Sequence, residues 1–318
     1  MPEQTARAYR RFAALEARGR SPLYERLAEG VAQDGEVLAF LLTLPKPKRQ
    51  PNLLFAAVRY RLGTPADWAD FRNRLLAEPD AVREVMLSRS TQTNEPARCA
   101  TLLPVLAALP QPLALIEVGA SAGLCLLPDL YGYDYGSSRL APPRAGAPVF
   151  ACTASDKVPL PGALPQVVWR AGLDLHPLCA PKPAHRAWLE TLVWPEQTER
   201  LGRLRQALAV AAEARPRVVS GDLRTDLAAL TAQAPASATR VIFHSAVLAY
   251  VAAPKERADF AVEARRLADY WIANEVPAAL PDADKSFAER AQGRFLVCLN
   301  GKPTAWADPH GAALAWIA

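Results

Sequence analysis

The chemistry-bearing residues of this 318-residue chain gather first in one short segment, Glu117-Val-Gly-Ala-Ser-Ala-Gly123. It follows an apolar run and precedes a helical pattern, so both glycines fall where the backbone must turn sharply. Gly119, Ala120, Ser121 and Gly123 read as a cradle in which a ligand approaches backbone N–H groups and the start of a helix. Glu117, at the end of the run, reads as an acceptor for a ligand ammonium or hydroxyl. A nucleotide-like cofactor suits such a cradle, S-adenosylmethionine before others. A tight turn that holds nothing uses the same glycines.

Polar residues recur where later apolar runs end: Asp174 in Gly172-Leu-Asp-Leu-His-Pro177, Asp222 in Ser220-Gly-Asp222, and His244-Ser245 after Val241-Ile-Phe243. Open α/β sheets bind ligands beyond the carboxyl ends of their strands. In an adenosylmethionine site Asp174 would hold the ribose hydroxyls and Asp222 would approach the adenine, with helix capping as the plainer alternative. His244 would remove a proton from a nucleophile near neutral pH, or stand as a satisfied core histidine. Ser245, beside it, would touch substrate. A second polar patch, Gln92, Asn94, Glu95 and Arg98, reads either as a substrate reader, with Arg98 suited to a carboxylate, or as a solvated loop with an N-cap. His310-Gly311 could rim the same cleft.

Two kinds of pattern must position these groups. Up to about Leu109 apolar residues return every three or four positions, which predicts helices at Thr5 to Ala17, Pro22 to Ala32, Glu36 to Leu44, Asn52 to Leu62, Ala66 to Leu76, Asp80 to Leu87 and Glu95 to Leu109. Asp34 and Asn94 are the expected N-caps, with Pro96 in a first turn. After Pro112 short apolar runs alternate with helical stretches, predicting strands at Leu113 to Val118, Gln166 to Arg170, Arg217 to Ser220, Arg240 to Phe243 and Tyr270 to Asn274. Arg294 to Leu299 and Thr304 to Ala307 flank Asn300-Gly301 and predict an antiparallel hairpin. The expected fold is an α/β, doubly wound, mostly parallel sheet ending in that hairpin (residues 111–318), preceded by an all-helical part (1–110). Residues 126–165 form a Gly- and Pro-rich insertion in which Tyr131, Tyr133 and Tyr135 alternate with Gly132 and Asp134. It is expected to lie over the cofactor edge, with Tyr133 toward substrate, or to be a surface excursion.

Composition narrows the classes. With 51% hydrophobic and 22% charged residues the chain suits a folded enzyme rather than a disordered one. Its net charge of +5 comes from dispersed residues, so nucleic acid is not indicated; Lys46, Lys48 and Arg49 read as a solvated loop. Five scattered cysteines without a Cys-x-x-Cys pair suit a reducing compartment, and no metal site is expected. No segment has the apolar run of a signal peptide or a membrane span, so the expectation is a cytoplasmic protein acting on a small molecule, with no membrane partner.

Taken together, Ser90-Thr-Gln-Thr-Asn-Glu95, Ile116 to Leu124, Tyr131-Gly-Tyr-Asp-Tyr-Gly136, Gly172 to Leu178, Trp194-Pro-Glu196 and Phe243 to Tyr250 resemble the bacterial domain-of-unknown-function family 2332 along nearly the whole chain. The resemblance implies a relation to class I adenosylmethionine-dependent methyltransferases, in which the opening turn, the second-strand acid and the Gly-Asp take the roles given above. This chain departs from that pattern in Ala120-Ser-Ala122, where a central glycine is common, and in the long insertion. His244-Ser245 also stands in place of the Asp-Pro-Pro-Tyr type of motif, which disfavours N-methylation of an amide or base. Two rivals use the same residues. Gly119-x-Ser121-x-Gly123 spells the nucleophile elbow of α/β-hydrolases, and Ser121, Asp222 and His244 or His310 follow the matching order, though no His-Gly segment stands upstream and the several strands that normally come before an elbow are replaced by helical pattern. A binding module without turnover is the other.

Overall fold

The structure, a computed structural model, describes residues 2–92 and 94–317. It divides into two compact units, Met1–Thr93 with Pro183–Gly202, and Asn94–Lys182 with Arg203–Ala318. The sequence draws its boundary near residue 110. By contacts, the helix Cys99–Ala108 groups with the sheet instead, and its residues from Cys99 to Leu106 are all buried. A helix apolar on every side needs neighbours on every side, and a sheet supplies one of them.

The helical unit contains Pro2–Phe12, Pro22–Gln33, Gly35–Leu42, Pro51–Leu62, Trp68–Ala77 and Pro79–Ser88. Ser21 and Asp34 cap two of these, accepting from the Tyr24 N–H and from the Glu36 and Val37 N–H groups. Tyr9, Phe12, Tyr24, Phe55 and Phe71 pack edge-on or tilted in the core, where Trp194 joins them. The Trp-Pro-Glu motif is a clasp. Trp194 Nε1 donates to Asn52 Oδ1 (3.0 Å), and the Glu196 carboxylate accepts from Ser21 Oγ (2.7 Å) and Leu23 N (3.0 Å). In the basic cluster, Arg49 donates to the Leu44 and Leu42 carbonyls and Lys48 to the Arg89 carbonyl.

The sheet unit holds β1 (Leu113–Val118), β2 (Gly132–Asp134), β3 (Arg139–Leu140), β4 (Val149–Ala151), β5 (Thr153–Ala154), β6 (Val167–Asp174), β7 (Arg217–Ser220), β8 (Thr239–Ser245), β9 (Tyr270–Glu275), β10 (Phe295–Leu299), β11 (Lys302–Ala307) and β12 (Ala313–Trp316). Nine of them form one mostly parallel sheet in the order β5-β12-β11-β10-β9-β8-β1-β6-β7. From β7 to β9 every pairing is parallel; β9–β10, β10–β11 and β11–β12 are antiparallel, and β5 pairs parallel with β12. Asn300 (φ 52°) and Gly301 (φ 83°) make the β10–β11 turn, both left-handed as a two-residue hairpin of this type requires. The sheet does not end at that hairpin, because β12 and β5 extend it.

β6 runs four residues past the predicted Arg170. Gly172 looks like a breaker in sequence, but it lies in mid-strand, where a Cβ would sit 2.4 Å from Ala120 Cβ. Inside the insertion β2, β3 and β4 make a small sheet of their own. Among the described residues no helix is long and apolar enough to cross a membrane, and no cluster of His, Cys, Asp and Glu is placed to hold a metal.

Candidate functional site

Strand order reverses between β1 and β8, and in such sheets the crevice beyond the carboxyl ends at the reversal is where ligands bind. The Gly119–Gly123 turn stands there. Gly119 (φ 71°) and Gly123 (φ 71°) are left-handed, and so is Ser121 (φ 50°), an uncommon state for a residue with a side chain. A Cβ on Gly119 would lie 2.3 Å from Val247 Cγ2, so this glycine admits the loop that follows β8. No long helix follows the turn. The chain enters two short 3₁₀ turns, Leu124–Leu126 and Pro128–Leu130, so the expected helix start is missing from the cradle.

Two expected site residues shape the turn itself. Asp174 accepts from Ser121 N (2.8 Å) and His176 N (2.8 Å). Asn94 is not an N-cap; its amide donates to the Ala120 carbonyl (2.9 Å) and accepts from Leu124 N (3.3 Å), bracing the turn from the other side. The cap belongs to Glu95, which accepts from Ala97 N at the start of Pro96–Arg98. Asp222 is bound to Arg224 through both carboxylate oxygens, and that guanidinium holds its carboxyl below the usual range. Gln92 lies in the helical unit, apart from Asn94, Glu95 and Arg98 in the division of the chain.

Burial reassigns three others. Tyr133 is fully buried and its hydroxyl donates to the Pro128 carbonyl (2.7 Å); Tyr131 and Tyr135 likewise donate to Leu124 and Ala100 carbonyls. Arg98 is buried, donating to the Pro309 (2.8 Å) and Ser245 (3.2 Å) carbonyls. His244 has no exposed surface. Its Nε2 accepts from the Trp271 indole (3.0 Å), so Nδ1 carries the proton and donates to Glu275 Oε1 (2.7 Å). With both nitrogens engaged, His244 holds Glu275, and the Val247 and Leu248 N–H groups bind that same carboxylate oxygen.

Four buried polar atoms at this edge lack a hydrogen-bond partner: Glu117 Oε2, Ser121 Oγ, Asn274 Oδ1 and Glu275 Oε2. Buried polar atoms in folded proteins are nearly always paired, so such a group marks a place where donors from a ligand would be satisfied. Glu117 stands out among them. Burial pushes its carboxyl well above the usual carboxylate range, Cys125 and Asp174 add to the rise, and Arg98 opposes it. Asn274 donates to Ser245 Oγ (3.1 Å), which ties the ends of β8 and β9 together. Asn274 and Glu275 went unnoticed in the sequence, although a polar pair closing an apolar run is the same signal that marks Asp174. The residues of a serine hydrolase are not brought together: Ser121 Oγ has no hydrogen-bond partner, Asp222 is held by Arg224, His244 is closed in by Glu275 and Trp271, and His310 stands beside Glu95.

A family model described as "Uncharacterized protein conserved in bacteria (DUF2332)" matches residues 6–316. No curated protein and no solved structure matches the chain.

Proposed function

The chain belongs to the bacterial family DUF2332, and from that starting point we propose that its sheet unit is a small-molecule methyltransferase using S-adenosylmethionine. Glu117 is the anchor for an ammonium or hydroxyl of that cofactor. The observation that carries the reading is Glu117 Oε2, buried without a partner on β1 at the reversal of strand order. The order β7-β6-β1-β8-β9 corresponds to that of a Rossmann-type sheet, the scaffold to which class I methyltransferases are related.

The donor set fits the group in part. Asn274 Oδ1 accepts, while the Ser121 hydroxyl and the Glu117 carboxyl can each accept or, carrying a proton, donate, which suits a ligand rich in N–H and O–H groups. Asp174 serves by fixing the turn, and Asp222 stays ionised at the rim beside Arg224. Bound adenosylmethionine supplies an activated methyl group. In-line displacement then depends mainly on alignment, which a turn braced by Asn94 and Asp174 provides.

Calorimetry with adenosylmethionine and adenosylhomocysteine tests this. Saturable binding is expected, weakened at least about tenfold in Glu117→Gln, a loss of about 1.4 kcal/mol. If neither compound binds the intact protein at about 1 mM, the reading fails. The hydrolase reading has one observation in its favour, the left-handed backbone of Ser121. Labelling by a fluorophosphonate that is lost in Ser121→Ala would establish it instead. A module that binds without turnover shares the Glu117 anchor and would bind adenosylmethionine without consuming it.

A further inference from the structure

A cavity of about 590 Å³ lies in the sheet unit, walled by β2, β4 and β5 and by the loop after β11. That size is typical of a small-molecule site. Its walls mix apolar residues such as Ala97, Phe150 and Ala312 with Asp134, Thr153 and Arg203, and Tyr135 presents a ring whose hydroxyl is already given to the Ala100 carbonyl. His310 opens onto this space with its side chain about half exposed (48%).

The imidazole has a buried carboxylate behind it. His310 Nδ1 lies 3.8 Å from Glu95 Oε2, and the Glu95 side chain is only 7% exposed. That distance is too long for a hydrogen bond, so the carboxylate stands behind the ring without being bonded to it. The loop carrying His310 is firmly placed. Asp308 accepts from the His310 and Ala312 N–H groups, and Arg98 holds the Pro309 carbonyl. Gly311 (φ 85°) passes so near Ala97 that a Cβ would come within 2.1 Å of its carbonyl oxygen. A base on a firmly held loop, with a buried carboxylate behind its ring, has the parts that proton abstraction requires.

We propose that this cavity binds a flat molecule bearing an acidic hydroxyl, of the phenol class, and that His310, with the Glu95 carboxylate behind its ring, takes its proton. The O–H bond breaks, the proton passes to Nε2 on the far side of the ring from Glu95, and the phenolate stays paired with the imidazolium. The other ionisable groups lining the cavity are Asp134, Cys152 and Arg203. Asp134 accepts from Gly136 N and lies 3.8 Å from Arg139, while burial, with Asp308 adding to it, pushes the Cys152 thiol up to about 12, so it stays protonated. The site takes nothing from the cofactor reading.

The test uses 4-nitrophenol with the full chain and no adenosylmethionine, so its failure is separate from failure of the cofactor reading. At a mildly acidic pH where the free probe is mostly protonated, adding protein should raise the yellow phenolate band saturably. His310→Gln, at a half-exposed position, should cut that band at least about tenfold while the fold, checked by circular dichroism, is kept. Glu95→Gln, which removes the negative charge behind the ring, should move the pH midpoint of the band upward, a change that loss of a purely structural contact would not produce. Ala151→Trp, on an exposed stretch of the wall, should block the probe without touching His310. Absence of a saturable band in the wild type, or its survival in His310→Gln, overturns the proposal.

Discussion

The Trp194-Pro-Glu196 clasp of the helical unit and the carboxyl edge of the sheet treat their polar groups in opposite ways, although the buried Tyr9 hydroxyl of the helical unit is itself unpaired. In the helical unit, the motif that looks most functional, Trp194-Pro-Glu196, has each of its polar side chains satisfied by Asn52, Ser21 and Leu23. At the sheet edge Glu117, Ser121, Asn274 and Glu275 each keep a buried atom unpaired, and Ser121 and Ala246 are left-handed without being glycine. Folding alone selects for the first arrangement. The second carries a cost that the fold does not recover, and such costs concentrate where a site is held ready for a ligand. The difference separates motifs that hold the chain together from motifs that act on something else.

The largest effect should come from a residue at the sheet edge that belongs to the first class. His244→Ala removes a buried hydrogen bond from each of Trp271 and Glu275 and leaves a void, so unfolding in urea should show a loss of about 3–4 kcal/mol. If stability is kept while activity alone disappears, His244 sits on the wrong side of the comparison. Next is the clasp in the helical unit. Glu196→Ala leaves Ser21 Oγ and Leu23 N without their acceptor and should cost about 1–3 kcal/mol, with ligand binding at the sheet edge unchanged. A fall in ligand affinity at unchanged stability would break the contrast.

The smallest effect, and the most informative, has the opposite sign. The folded state raises the Glu117 pKa above its ordinary 4.5, so the folded protein holds a proton that the unfolded chain releases as pH rises past that value. The Glu117 contribution is therefore most favourable at low pH and declines as pH climbs from about 4.5 toward the raised folded value. Glu117→Gln should remove that decline, and at neutral pH the variant should be no less stable than the wild type while losing ligand. Chemical denaturation of both proteins across pH checks it. A variant less stable than wild type at every pH would make Glu117 a structural residue.

Most of the elements were legible in the sequence because the forces that specify them are local. Helical periodicity, the Asp34 cap, and the Asn300-Gly301 turn each act within a few residues, and all three appear in the structure. The short edge strands β5 and β12 were not legible. β5 has two residues and pairs with a strand some 160 positions later, so nothing near it in the chain calls for a strand. The turn from Glu117 to Gly123 was visible for the same local reason, since glycines mark left-handed backbone wherever they occur.

What each polar residue does was decided by the tertiary structure. Asp174 and His244 stand out in sequence by type and by place at the end of a run, and Asn94 by its polar patch ahead of a helix; either signal is identical for a residue that binds ligand and one that braces a loop. Only the partners distinguish them: Ser121 N for Asp174, the Ala120 carbonyl for Asn94, and Trp271 with Glu275 for His244. The same holds for Glu95 and His310, more than 200 residues apart in sequence and 3.8 Å apart in the fold. The sequence by itself determined which residues can donate, accept or titrate, and which stretches turn, coil or extend. Hydrogen bonding and desolvation depend on which atoms are within about 3 Å, and for groups brought together from distant strands only the folded chain settles that.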